Sequence, residues 1–189
     1  DQVDDQVDDQ VDDQVDDQFD VWRFNLYLET AFSGVSLQWL EMLKKTPLSK
    51  LIDVPLSHIP KSVYETSADR IKKLKTDTLV MFVTWSLDCI LEDWAAQKGD
   101  AHVAAKVVGL AMVLRSKPDA VTRFLPKLRR NPRYQGEDKL PLIIWMLAQA
   151  SQSDLTRGLD SWANVLLPVF GFCQIKRRGP YFLVELLGS

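Results

Sequence analysis

Apolar positions recur at helical spacing along most of this chain, and turn residues divide them into short segments. The clearest pattern lies at 76–97, where one side of a helix would carry Leu79, Val83, Leu87, Ile90 and Trp94, with Val80 and Leu91 widening the stripe. The same reasoning predicts helices at 22–31, 37–45, 61–74, 101–114, 116–129, 139–151 and 153–167. Since alternating runs and hairpin dipeptides are lacking, we predict an all-α fold, an antiparallel helical array of HEAT-like type.

Proline, glycine and serine residues predict where these helices begin and end. Three prolines interrupt the stretch 46–60, which is predicted to connect two helices. The tetrapeptide 116–119 has the S-x-x-D form of a capping box and is predicted to start the next helix. Pro132 and Gly136 predict a tight reversal before the helix that starts near Lys139.

The first 20 residues repeat a four-residue unit, DQVD four times and then DQFD. Aspartates at i and i+4 repel each other on a helix by roughly 0.2–0.5 kcal/mol per pair, and Asp is a poor helix former. We therefore expect residues 1–20 to form a disordered acidic repeat, residues 21–168 a helical domain and residues 169–189 a divergent tail. The D-x-x-D units also match the form of caspase cleavage sites, but low-complexity expansion is the preferred interpretation.

The charge is divided unevenly between the repeat and the rest of the chain. The repeat holds ten of the 26 acidic residues and neither Lys nor Arg, so residues 21–189 carry 16 acidic (26 less 10) and 23 basic residues, a net charge of about +7. Such a body favours an anionic partner, which can be a membrane surface, RNA or an acidic protein. No apolar run reaches the roughly 18 residues of a membrane span, and the Asp-rich start is unlike a signal peptide.

The residues offer no constellation for catalysis or metal binding. His58 and His102 stand without a second ligand at metal-site spacing, and the chain has no nucleotide-binding glycine loop and no G-x-S-x-G. Cys89 is predicted to be a buried structural thiol, and the acidic residues of 88–93 a solvated or ion-paired face. We expect no enzymatic activity, no metal and no cofactor.

The tryptophans are spread at helical spacing, which is typical of residues that pack in a core. Core packing is predicted for Trp85 and Trp145. Trp22 and Trp39 are instead predicted to be surface anchors.

A basic cluster surrounds the predicted reversal and is the strongest candidate for a binding site. It consists of Arg123, Lys127, Arg129, Arg130, Arg133 and Lys139. Three interpretations remain open: a solvated charged loop, a contact for anionic lipid or an acidic protein, and, with the least support, an RNA contact. The arginines from 129 to 133 should be exposed, with Tyr134 partly buried against them and Glu137 and Asp138 as counter-charges.

Three stretches carry motifs that occur in the same order in a known family. They are TPLSKLIDVPLSHIPKSVYETSAD (46–69), TWSLDCILEDWAAQ (84–97) and the segment 111–168, with its MVLR-x-KPDA, YQGEDKLP and W-M-x-x-QAS stretches. In these motifs the chain resembles the plant branch of the transmembrane protein 214 family, over roughly residues 36–168.

The resemblance implies a helical cytosolic part of an endoplasmic-reticulum membrane protein with spans near its C-terminus. Animal members of the family are linked to stress-induced apoptosis, where they act as a membrane anchor that recruits a procaspase, and the family has no established enzymatic activity or cofactor. The chain is expected to be a truncated member without those spans, located on the cytosolic face of the endoplasmic reticulum, or in the cytoplasm if the truncation is genuine.

Two functional hypotheses follow from the residues and the resemblance together. The favoured one is a non-catalytic helical adaptor with a protein partner, associated with the endoplasmic reticulum and with stress-induced cell death. The alternative is a peripheral module that binds anionic lipid or RNA through the basic residues of 123–139.

Overall fold

The helical periodicity of the sequence is realised in a computed structural model of the protein, which describes residues 20–35, 39–57, 59–96 and 101–153 together with Thr156 and Ala163. In these ranges all regular structure is helical, which confirms the all-α prediction. Residues 1–19, nearly all of the helix predicted at 153–167 and the tail at 169–189 lie outside the described residues. The HEAT-like arrangement and the domain boundaries therefore stay predictions.

Eight α-helices and one turn of 3-10 helix occupy the described ranges. The α-helices are α1 (20–31), α2 (Trp39–Lys45), α3 (Leu48–Leu51), α4 (Lys61–Lys73), α5 (Thr76–Ala95), α6 (Ala101–Ser116), α7 (Asp119–Arg130) and α8 (Leu140–Ser151), and the 3-10 turn is Pro132–Tyr134. The predicted bounds agree within three residues where the structure describes them. The one-turn helix α3 was not predicted, and it lies between the first two prolines of the connecting stretch.

Helix α6 forms the centre of the fold. Every side chain from Val103 to Leu114 is buried, because this helix is apolar on nearly all of its sides. Helices α4, α5 and α8 pack against it, while α7 packs against α5. Gly109 lets α1 approach closely, since a Cβ atom there would lie 3.0 Å from Leu28 Cδ1 and from Phe82 Cζ.

The apolar stripe predicted on α5 faces this core. Leu79, Val83, Leu87 and Ile90 are each fully buried. Trp94, at the end of the stripe, is half-buried and packs against the core. The period-based prediction is therefore confirmed for the helix that contacts both α6 and α7.

The predicted capping box at 116–119 is wrong. Ser116 is the last residue of α6, and α7 begins at Asp119 with Pro118 in the cap position and no side-chain cap hydrogen bond. The backbone N–H of Lys117 donates to the carbonyl oxygen of Val113 at 2.9 Å, so the chain stays helical through Ser116. A serine inside the last turn of one helix cannot adopt the extended backbone that capping the next one requires.

Trp39 is also placed differently from its prediction as a surface anchor. Only 1% of it is exposed, and its ring meets that of Trp145 edge-on with 5.3 Å between centroids. This aromatic pair holds α2 against α8. The other predictions hold in part: Trp145 is fully buried, Trp85 is half-buried, and Trp22 is 61% exposed.

Asp20, the last residue of the predicted disordered repeat, instead begins α1. Both of its carboxylate oxygens accept a hydrogen bond from Nη2 of Arg70 on α4, at 3.0 Å each. The acidic segment therefore joins the folded part of the chain at the surface of α4.

Arg115, at the C-terminal end of α6, joins three separate parts of the chain. Its Nε donates to Oε1 of Gln149 on α8 at 2.7 Å, and its Nη2 donates to the carbonyl oxygen of Ile52 at 2.6 Å. Gln149 is fully buried, and its Nε2 donates to the same Ile52 carbonyl at 2.7 Å. Asp53 supplies the counter-charge, with its Oδ1 2.8 Å from Arg115 Nη2. We call these four residues the Arg115 network.

Lys117 fixes the other side of the same turn. Its Nζ donates to the carbonyl oxygens of Lys72 and Leu74, which end α4. A cation at the C-terminus of a helix satisfies carbonyls that have no partner within the helix and complements its dipole. The turn between α6 and α7 is thus held both to α8 and to α4.

Replacement of Arg115 by Ala should lower the free energy of unfolding by about 2–4 kcal/mol, because buried groups of Gln149 and Ile52 would lose their charged partner. Urea denaturation checks this. The matched control is Arg129→Ala, which removes an exposed arginine of α7 and should change stability by less than about 0.5 kcal/mol. Equal effects of the two substitutions would contradict the role given to Arg115.

Candidate functional site

Helix α7 has one buried and one basic side. The buried side chains, Ala120, Val121, Phe124, Leu125 and Leu128, pack towards α5 and α6. The exposed side chains are Thr122, Arg123, Pro126, Lys127, Arg129 and Arg130. Since no acidic residue follows Asp119 within α7, this exposed side has no carboxylate of its own. We call Arg123, Lys127, Arg129 and Arg130 the basic face.

The basic face is ordered by helical spacing. Arg123, Lys127 and Arg130 stand at i, i+4 and i+7, so they follow one line along the helix, whereas Arg129 lies about 100° around the helix axis from Arg130. The buried side of α7 fixes the backbone beneath them. The four cations therefore project from a helix whose opposite side is packed in the core, and the exposure predicted for Arg129 and Arg130 is confirmed.

The six cations predicted as a cluster divide into two groups. Three have acidic partners: Arg123 Nη1 lies 2.5 Å from Asp77 Oδ1, Arg133 Nη2 lies 2.5 Å from Glu92 Oε1, and Lys139 Nζ lies 3.8 Å from Asp138 Oδ2. The other three, Lys127, Arg129 and Arg130, have no ion pair with any residue that the structure describes. The uncompensated charge is thus concentrated on the C-terminal half of α7.

Tyr134 and Arg133 attach the loop after α7 to helix α5. The Tyr134 hydroxyl donates to Asp88 Oδ1 at 2.9 Å, and Arg133 Nε lies 3.3 Å from the same oxygen. The Tyr134 ring packs edge-on against Phe124, with 5.6 Å between centroids. With the Arg133–Glu92 pair, these contacts form what we call the α5 latch.

The α5 latch corrects two predictions. Tyr134 is only 4% exposed, so it is buried instead of partly buried. The carboxylates that pair with Arg133 come from α5 and not from Glu137 or Asp138. Gly136, at a φ of 125°, turns the chain as predicted, and Asp138 after it pairs with Lys139.

Burial and hydrogen bonding shift the acid–base properties of the latch. Desolvation, followed by the hydrogen bond to Asp88, raises the pKa of Tyr134 to about 12. The hydrogen bond to Glu92 raises the pKa of Arg133 above its ordinary value. Both shifts keep these groups in the protonated form that donates to α5.

The acidic residues of 88–93 were predicted to form either a solvated or an ion-paired face. In the structure they are ion-paired. Asp88 and Glu92 belong to the latch, and Asp93 lies 3.6 Å from Nζ of Lys106, which is only 8% exposed on the central helix. Nearby, burial raises the pKa of the Cys89 thiol. The thiol is half-buried and not buried as predicted, and its raised pKa leaves little thiolate at neutral pH.

Neither a metal site nor a membrane-spanning helix occurs in the part of the chain that the structure describes. No group of three His, Cys, Asp or Glu side chains there could hold a metal ion. No helix in the same ranges combines the length and the apolar character that crossing a membrane demands.

Helix α1 carries an exposed apolar strip. The sequence predicted the exposure of only one of its residues, Trp22. The members of the strip are Trp22, Leu26 and Tyr27, which are 61%, 63% and 57% exposed. The Trp22 ring meets that of Trp85 on α5 edge-on, with 5.5 Å between centroids. Leu26 and Tyr27 were missed because the spacing of α1 fits burial of either side equally well.

The described residues form an all-helical module. A model of the protein family described as "TMEM214, C-terminal, caspase 4 activator" matches residues 39–186, which is most of the chain. The chain belongs to this transmembrane protein 214 family.

Individual relatives agree with the family match. Transmembrane protein 214 of Homo sapiens is 26% identical over 175 residues, which cover 84% of this chain and 24% of the human protein. Transmembrane protein 214-A of Xenopus laevis is 35% identical over 79 residues, 41% of this chain and 11% of that protein, and the Mus musculus protein is 37% identical over 78 residues, 39% and 11%. This chain therefore spans no more than about a quarter of these relatives. No solved structure matches it.

The motifs that carry the resemblance meet at the contacts described above. Ile52 of the first stretch, Arg115 of MVLR-x-KPDA and Gln149 of W-M-x-x-QAS form the Arg115 network. Tyr134 of YQGEDKLP donates to Asp88 of the WSLD motif in the α5 latch. These motif residues thus act as internal contacts that position α7.

Replacement of Tyr134 by Phe should lower the free energy of unfolding by about 1–2 kcal/mol near neutral pH, because Asp88 loses a hydrogen bond. The pKa of Tyr134 is about 12 in the folded protein, above the ordinary value of about 10. The stabilisation is therefore fully present below about pH 10 and is lost as the pH rises towards about 12.

Urea denaturation of the two proteins at about pH 8 and about pH 11.5 measures this effect. The difference between wild type and Tyr134→Phe should shrink at the higher pH, while Tyr27→Phe, at an exposed position, should match wild type at both. A pH-independent difference would contradict the assigned hydrogen bond.

Proposed function

We propose that this chain is a non-catalytic helical adaptor module that binds an acidic protein partner through the basic face of α7. The family is described as a caspase 4 activator and its curated relatives are named transmembrane proteins. We extend this to a role at the cytosolic face of the endoplasmic reticulum in stress-induced cell death, with a caspase zymogen as the partner.

The observation that carries the proposal is the uncompensated charge on α7. Lys127, Arg129 and Arg130 are exposed and lie outside every ion pair among the described residues. An array of like charges on a rigid helix steers an oppositely charged partner and fixes its register. Rigidity comes from the buried side of α7 and from the α5 latch, which fixes the chain just after its C-terminus.

The test is the binding of the purified chain to purified procaspase-4, measured by biolayer interferometry. Replacing Lys127, Arg129 and Arg130 by Ala should weaken binding at least about fivefold and leave the thermal midpoint unchanged, because these side chains make no internal ion pair. The control replaces Lys45, Lys50 and Lys61, which are exposed on α2, α3 and α4 and carry the same number of positive charges, with Lys45 and Lys61 paired to Glu41 and Glu65. Absence of binding by wild type, or an equal loss in the control, would refute the proposal.

A second candidate, binding of anionic lipid, is favoured by the same exposed cations. Each basic residue near an anionic membrane surface contributes about 1 kcal/mol. Phosphatidylserine vesicles should therefore bind wild type more tightly than phosphatidylcholine vesicles do, and the triple Ala variant of α7 should lose the difference.

The Arg133→Ala variant tests, in the vesicle assay, whether a cation that is already paired within the protein also contributes to membrane binding. Since Arg133 is already paired with Glu92 and Asp88, its removal should change vesicle binding less than removal of Arg130 does. An equal effect of the two single substitutions would show that the latch residue, and not only the basic face, contacts the membrane.

A further inference from the structure

We propose that the basic face of α7 binds the acidic segment at residues 1–19 of the same molecule, which must be displaced before an external partner can bind. This inference rests on the proposed function of the basic face and adds a competing internal ligand. The proposed internal ligand is the part of the chain that precedes α1.

Charge complementarity is the first argument. Residues 1–19 contain nine aspartates and no Lys or Arg, whereas the basic face contains four cations and no carboxylate. Adjacent aspartates recur every four residues, at 4–5, 8–9, 12–13 and 16–17. A repeated ligand of this kind can pair with the basic face in several registers, which favours binding without a unique fit.

The point at which the segment enters the fold is the second argument. Asp20 is held by Arg70 on α4, near the basic C-terminal turn of that helix. The end of α4 is in turn bonded by Lys117, two residues before α7 begins. The Arg123–Asp77 pair then joins α7 to the first turn of α5. The acidic segment therefore enters the fold at α4, the helix whose C-terminal end Lys117 joins to the turn before α7.

The length of the segment is sufficient to cover that face. A flexible chain of 19 residues has a root-mean-square span of about 25 Å and a fully extended span of about 60 Å. Helix α7 has 12 residues and is about 18 Å long. A tether of this length keeps the acidic segment at an effective concentration in the millimolar range, which favours the internal ligand over a second copy in dilute solution.

The experiment uses the full chain with Cys89 and Cys173 replaced by Ser and a nitroxide label on Gln10→Cys. Backbone amide signals of residues 122–130 other than Pro126 should lose at least about half of their intensity at about 50 mM NaCl and recover at about 500 mM, because salt screens the attraction. Replacing Lys127, Arg129 and Arg130 by Glu should abolish the broadening, and replacing Lys45, Lys50 and Lys61 by Glu should preserve it. Absence of broadening at low salt would overturn the proposal.

A mixing experiment tests whether the contact is intramolecular. Labelled chain without ¹⁵N is combined with unlabelled ¹⁵N-enriched chain, so any broadening must pass between molecules. We expect none at dilute concentration. Equal broadening in the mixture would overturn the intramolecular contact in favour of one between copies.

A binding measurement links the contact to the proposed function. Replacing the nine aspartates of residues 1–19 by Asn should increase binding to phosphatidylserine vesicles or to procaspase-4 roughly tenfold at low salt. Broadening without any vesicle or procaspase binding would support the internal contact and refute the proposed function. Binding that is unchanged by the Asn substitutions, without broadening, would refute the internal contact alone.

Discussion

The guanidinium group of Arg115 is the point at which the helices of this protein are tied together. A planar group with several donors can reach a side-chain amide, a backbone carbonyl and a carboxylate at once, which a lysine ammonium cannot do with the same geometry. Here those acceptors come from α8 and from the chain just after α3. Because Gln149 is fully buried and bonds the same carbonyl, the network fixes the C-terminal ends of α6 and α8 to the chain just after α3.

The surface of α7 follows from how the fold distributes its charges. Helix α5 supplies carboxylates to Arg123 at one end and to Arg133 at the other. The cations between them, on the exposed side of α7, receive no such partner among the described residues. The cations that remain after internal pairing form the exposed positive surface of α7, and its position depends on the packing of α7 against α5 as much as on its own sequence.

Membership of the transmembrane protein 214 family fits this division between internal and external contacts. The motifs that the chain shares with the family supply the Arg115 network and the α5 latch, which are structural. The basic face lies between these two groups of contacts along the chain. Helix α7 is fixed at both ends and exposes its charged side, which suits it to presenting one surface to a proposed partner. The same exposure makes that surface available to the acidic segment of the chain itself.

Local periodicity predicted most of the helices, including the core-facing stripe of α5. It could do so because helix formation depends on residues three and four positions apart, which the sequence displays directly. Exposure of Arg129 and Arg130 was predictable for a similar reason, since burying adjacent guanidinium groups without carboxylates is costly. Burial of Trp39 and of Tyr134 was not predictable, because their partners, Trp145 and Asp88, come from distant helices. The capping box failed because packing and hydrogen bonding kept Ser116 inside α6. The helices and the presence of a basic cluster were thus determined by local sequence. Which of those cations lack an ion pair among the described residues was determined by contacts between elements far apart in the chain.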